Sequence, residues 1–240
     1  MKNNYPTQKV ISRRNDIMDD IEFEKCKEIP YYDNFMETAL DYDNLTMEDY
    51  KTFMGIILPI VLEKTEKDPV LLFEEIIEDL RKKWTASEEL PFHGPWHHGL
   101  VPAVIIASLK NNGYDFEDVD IKEAYTRGLK IPAGGCGFCG TCGGGSGLGI
   151  AISIVLRATP FHDQARSKAF KAAIQANERI GKLGGPRCCR LSGYTALEQA
   201  VKTLNNIDFN LPKEKMIGRC EIHYMNPQCH GNRCPFYPRK

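Results

Sequence analysis

The sequence predicts a mainly α protein, a helical bundle around a glycine- and cysteine-rich loop, followed by a loop-rich C-terminal tail that needs a metal staple. Three observations predict this class. Apolar residues recur at helical spacing behind recognisable helix starts. No run alternates apolar and polar residues for long enough to suggest a strand. Regularity stops at Pro212, and the last 29 residues hold three cysteines, two histidines and four prolines.

The elements follow in order. Residues 1–33 are polar, carry the acidic run Asp16 to Glu24 and form an arm leading toward the first helix. Thr46-Met-Glu-Asp49 has the form of a helix start. Tyr50, Phe53, Met54, Ile57, Ile60 and Val61 follow at helical spacing, with Pro59 expected to kink the helix. Asp68 can cap the next helix and Pro69 can occupy its first position. That helix runs to Trp84 with Leu71, Leu72, Ile76, Ile77 and Leu80 inward. Gly99 to Leu109 is almost wholly apolar and ends at Asn111-Asn112-Gly113, the pattern of a buried central helix. Residues 118–130 form a short amphipathic helix. After the glycine-rich segment Gly134 to Gly149, helical signal resumes over Leu148 to Arg157. It continues over His162 to Leu183, with Phe170, Ala173, Ile174 and Ile180 on the inner face. Thr195-Ala-Leu-Glu198 matches a capping box ahead of Leu197, Ala200, Val201 and Leu204. The chain thus divides into the arm (1–33), a helical domain (34–211) and a metal-binding tail (212–240).

Composition narrows the class of function. The chain has 240 residues, enough for one good-sized core. Its 31 basic residues nearly balance its 32 acidic ones, so no overall field draws in nucleic acid or an anionic membrane. The longest apolar runs, Met54 to Leu62 and Gly147 to Leu156, fall well short of the roughly 20 residues that cross a bilayer. Met1 to Asn15 lacks the apolar core of a secretory signal, so a cytoplasmic location is expected. There, nine cysteines favour metal over disulfides, and the odd count agrees.

Cys136-Gly-Phe-Cys139-Gly-Thr-Cys142 is a C-x2-C-x2-C run, a spacing that lets three thiolates converge from one tight loop onto a 4Fe-4S cluster. The surrounding glycines remove side chains and let backbone N–H groups approach the sulfides. A helix beginning near Ser146 would aim its positive end at the cluster. Zinc also accepts such cysteines, but the glycine-rich setting fits iron-sulfur better. Radical chemistry with S-adenosylmethionine usually comes with a C-x3-C-x2-C run, which is absent. Gly184-Gly-Pro-Arg-Cys188-Cys189-Arg190 sets two thiols beside two guanidinium groups, a setting expected to lower thiol pKa. Adjacent ligands to one cluster are sterically awkward, so at most one of Cys188 and Cys189 should join it. In the tail, Cys220, Cys229 and Cys234 with His230 or His223 suit zinc, or a second iron-sulfur cluster completed by Cys26 or Cys188. His93, His97 and His98 place three of the six histidines within six residues of one another, so a general base or acid is expected there.

The order of these features resembles the catalytic portion of iron-sulfur-dependent L-serine dehydratases and the related L-cysteine desulfidases, over roughly residues 93–206. Three landmarks carry the likeness: Gly99-Leu-Val101-Pro102-Ala103-Val104 as a helix start; Gly135-Cys136 through Cys142 running into Gly147 to Leu156; and Gly184-Gly185-Pro186-Arg-Cys188 ahead of a helix. The sequence departs from that family in two places. The family's ligands are dispersed single cysteines, one of which has no counterpart near Asn177. Its Thr/Asn-containing turn is replaced by His93 to His98, so the serine substrate does not carry over. The resemblance implies a non-redox lyase or desulfidase, with an open cluster iron acting as Lewis acid on a small sulfur- or oxygen-containing substrate. His97 or His98 would be the base, and His93, Arg187, Arg190 and Ser146 would bind substrate. The alternative is a non-catalytic iron-sulfur or zinc module for electron transfer, sulfur delivery or docking, and either reading admits a homo-oligomer or a partner enzyme.

Overall fold

The computed structural model describes residues 46–85, 90–213 and 220–239, and the N-terminal arm, with Cys26, lies outside them. The described residues are mainly helical and include no strand. Helix α1 (Met47–Glu63) starts as its sequence predicts, with Thr46 Oγ1 accepting from the Asp49 N–H and the Asp49 carboxylate accepting from the Thr46 N–H. It continues through Pro59, because Ile57, Ile60 and Val61 are buried on both sides of the proline and offset its missing hydrogen bond. Helix α2 (Pro69–Lys83) is capped by Asp68, whose carboxylate accepts from the Val70 and Leu71 N–H groups, and Phe73 joins its buried face. Leu71 is only half-buried.

Helix α3 (Trp96–Asn111) is the central element, buried from Gly99 through Leu109 and packed against α1, α2 and α4 (Asp118–Leu129). It begins earlier than the apolar run suggests and takes His97 and His98 into its first turn. Its remaining neighbours are α6 (Gly143–Val155), which follows the single turn α5 (Gly135–Phe138), and α8 (Cys189–Asn205).

Three sequence expectations fail here for related reasons. Helix α6 starts at Gly143 rather than Leu148, so a run of glycines with poor intrinsic helix propensity is helical. Packing stabilises it: a Cβ at Gly149 would lie 2.8 Å from the Ala173 Cβ, so glycine lets α6 lie against α7 (Asp163–Leu183). For that reason α7 turns its small residues inward. Ala172 and Ala176 are buried, whereas Phe170 and Ile174, expected inside, are 58% and 60% exposed. Finally, α8 begins at Cys189, capped by Cys188, so Thr195 is a buried mid-helix residue rather than a cap.

The described residues of the tail have little regular structure, two single 3-10 turns at His223–Met225 and Gly231–Arg233. It is nevertheless docked on the body. Phe236 is buried with its ring 5.1 Å from that of Tyr194, and the Cys220 N–H donates to the Phe236 carbonyl at 2.7 Å.

Candidate metal centre

The glycine loop, the α3 start and the turn before α8 enclose a cavity of about 480 Å3. Cys136 and Cys142 line it from the loop, Cys188 and Cys189 from the start of α8, and His97 and His98 from the first turn of α3. Arg187 and Ser192 complete its polar wall. Cys139 is exposed and does not line the cavity, so the loop directs only two of its three thiols there.

Local geometry fixes these positions. Gly134 has φ +72°, which turns the chain into α5 and presents Cys136. Cys142 caps α6, and its N–H donates to Asn177 Oδ1 at 2.7 Å; Asn177 Nδ2 in turn donates to the Ala173 carbonyl at 2.9 Å. Asn177 therefore ties the glycine loop to α7, a role the sequence did not reveal. Gly143 is required where it stands, since a Cβ there would lie 2.1 Å from the His98 ring.

Both cavity histidines are held neutral. His98 Nδ1 lies 3.0 Å from the Ile131 carbonyl and His97 Nδ1 lies 3.3 Å from that of Gly94. A carbonyl can only accept, so each Nδ1 carries the proton and each Nε2 presents its lone pair. Burial lowers the pKa of both rings. The buried His97 Nε2 has no hydrogen-bond partner among the described residues.

The arginine-flanked turn does not activate its thiols as expected. Burial pushes Cys188 up to about 11 and Cys189 up to about 12, in Cys189 outweighing the Arg187 guanidinium. Arg190, expected to bind substrate, does not reach the cavity. It is buried, paired with Glu74 at 3.3 Å and lies over the Phe73 and Tyr194 rings. His93 and Ser146 also stand outside the cavity lining. His93 Nε2 is 3.2 Å from Asn226 Oδ1 in the tail, and Ser146 Oγ is 2.7 Å from Thr141 Oγ1.

Cys188 lines the larger cavity beside Cys189, but it also faces the tail. Cys188 lines a second, small cavity with Cys220, Cys229 and Cys234. His230, whose Nε2 donates to the Pro186 carbonyl, lines both cavities. Among the described residues no group of three Cys, His, Asp or Glu side chains is already arranged to hold a metal ion. The thiols are gathered around shared cavities without being closed on a centre. No described helix is long and apolar enough to cross a membrane.

Comparison with curated proteins and with solved structures gives no match. A family model does match, over residues 57–237, a span that takes in α1 from Ile57, both cysteine-lined cavities and nearly all of the tail. The chain belongs to this family, the family of unknown function DUF5714.

Proposed function

We propose that the larger cavity holds a 4Fe-4S cluster on Cys136, Cys142 and Cys189, and that the protein is a non-redox lyase or desulfidase for a small anionic substrate. The observation that carries this reading is that thiols from two distant segments, the glycine loop and the start of α8, line one cavity beside two neutral histidines. Three further features suit such a group. The His97 Nε2 is buried and unpartnered. The glycine-built first turn of α6 brings bare backbone N–H groups to the wall, where Gly144 lines the cavity. A cluster on Cys136, Cys142 and Cys189, with Cys188 shared with the tail cavity, leaves one position of a cubane without a protein ligand. Bound there, the cluster would supply a Lewis acid for the hydroxyl or thiol of the substrate.

The chain's own residues would do the rest. His98, neutral and with Nδ1 held by the Ile131 carbonyl, offers Nε2 as the base that takes a proton from the carbon next to the leaving group. Arg187, which also lines the cavity, suits a carboxylate. The volume of about 480 Å3 fits a cluster and a small metabolite rather than a polymer.

Anaerobic reconstitution with iron and sulfide tests the reading. Cys136→Ser, Cys142→Ser and Cys189→Ser should each lose the cluster spectrum, while Cys139→Ser should keep it. Adding a small thiol or hydroxy acid should shift the spectrum of the wild type. Full iron in Cys189→Ser, or a reversible one-electron couple with no ligand effect, would overturn the proposal.

A further inference from the structure

The second cavity carries an inference that does not depend on the first. It holds about 20 Å3 and is lined by four thiols from well-separated places in the chain. Cys188 is the cap of α8, Cys220 begins the described tail, and Cys229 and Cys234 flank the single turn Gly231–Arg233. We propose that Cys188, Cys220, Cys229 and Cys234 bind one zinc ion that fastens the tail to the helical body.

The gathering is maintained by backbone hydrogen bonds. The Cys220 N–H donates to the Phe236 carbonyl at 2.7 Å, the Cys229 N–H to the Asn226 carbonyl at 2.9 Å, and the Cys234 N–H to the Gly231 carbonyl at 2.9 Å. Cys220 and Cys234 are buried, against apolar walls that include Leu191 and Phe92. The histidines nearby have positioning work. His230 Nε2 donates to the Pro186 carbonyl, and His223 Nδ1 lies 3.1 Å from the Cys220 carbonyl. That leaves four sulfurs as the ligand set.

The cavity admits a single ion and has no room for a cubane, and four thiolates suit tetrahedral zinc with Zn–S bonds of about 2.3 Å. Closing those bonds requires the thiols to swing inward about their Cα–Cβ bonds, since they are not yet arranged on a centre. Coordination of one divalent ion releases four thiol protons to solvent and leaves the site with two net negative charges. The buried Arg190 guanidinium acts on Cys220 and offsets part of that charge, the rest of its own being taken by Glu74. A docked segment with only two 3-10 turns gains most from such a staple. The inference also assigns Cys188, which lines both cavities, to the tail site and leaves Cys189 to the larger one, so the start of α8 joins the two.

The test uses the full chain purified without added iron. Metal analysis should find one zinc per chain, kept by Cys136→Ser and Cys189→Ser and lost by Cys220→Ser or Cys229→Ser. Replacement by cobalt should give the intense visible bands of a tetrahedral thiolate site. Because a tail variant can fail to fold, alkylation of the wild type provides a second reading. Cys188, Cys220, Cys229 and Cys234 should be protected while Cys139 reacts, and a chelator should expose all four together. Absence of zinc, iron and sulfide in its place, disulfides among the four, or tail thiols that react as fast as Cys139 would overturn the proposal. Zinc that survives in Cys189→Ser while the cluster is lost separates the two sites experimentally.

Discussion

Asn177→Ala isolates the side chain that ties the glycine loop to α7. The wild-type Oδ1 accepts the Cys142 N–H at 2.7 Å in a partly buried setting, and Nδ2 donates to the Ala173 carbonyl at 2.9 Å. Removing the acceptor leaves a backbone donor without its partner, which costs about 1–3 kcal/mol. The second bond adds little, because the Ala173 carbonyl lies inside a helix and keeps an intrahelical donor. A total near 2 kcal/mol follows, equivalent to a fall of about 4–8 °C in Tm for a chain of this size. Urea unfolding followed by circular dichroism measures the free energy. Asn177→Asp keeps an acceptor beside the start of α6 and should recover most of the loss. If Asn177→Ala unfolds within about 0.5 kcal/mol of wild type, below the range for an unpaired donor, the tether does not hold the loop. If Asp is as damaging as Ala, the acceptor is not what matters.

Two glycine substitutions should differ in sign. Gly128→Ala places a Cβ 2.1 Å from the His98 carbonyl, where backbone cannot yield, and should cost about 3 kcal/mol or more; Gly55→Ala, exposed in α1 with nothing within 4 Å, should stabilise by about 0.5–1 kcal/mol in the same unfolding assay. Arg190→Ala leaves Glu74 with only the Tyr194 hydroxyl and solvent and opens a hole beside Phe73 and Tyr194, so a loss of about 2 kcal/mol is expected, and a variant as stable as wild type would return Arg190 to the list of substrate-binding candidates. Acid should weaken the fold through His93, which burial lowers from 6.5 to about 4. The unfolded chain takes up the proton first, so this stability is present above pH 6.5 and is lost as the pH falls toward about 4. The loss is about 2 kcal/mol at about pH 5, and His93→Gln should flatten the pH dependence of the urea midpoint by about one proton.

The sequence by itself determined the helical class and the helix starts that depend on nearest neighbours. Thr46 with Asp49, Asp68 with Pro69, and the Asn111-Asn112-Gly113 stop all work through hydrogen bonds a few residues away, so their chemistry is visible in the string. The sequence also picked out the cysteine-bearing segments and the His97-His98 pair. Tertiary structure decided what those segments face. Gly143 to Gly149 have little helix propensity of their own and become helical because α3, α7 and α8 pack against them. Phe170 and Ile174 look like an inner face by periodicity, yet the close approach of α6 and α7 admits only small residues and turns them outward. The C-x2-C-x2-C spacing suggested three thiols on one centre, whereas the cavity gathers Cys136, Cys142 and Cys189 and leaves Cys139 outside. The same long-range packing sets Cys188 between the two cavities and Cys189 on the larger one alone. One-dimensional spacing cannot distinguish two adjacent residues in this way, because the thiols and histidines around them come from segments thirty or more residues away.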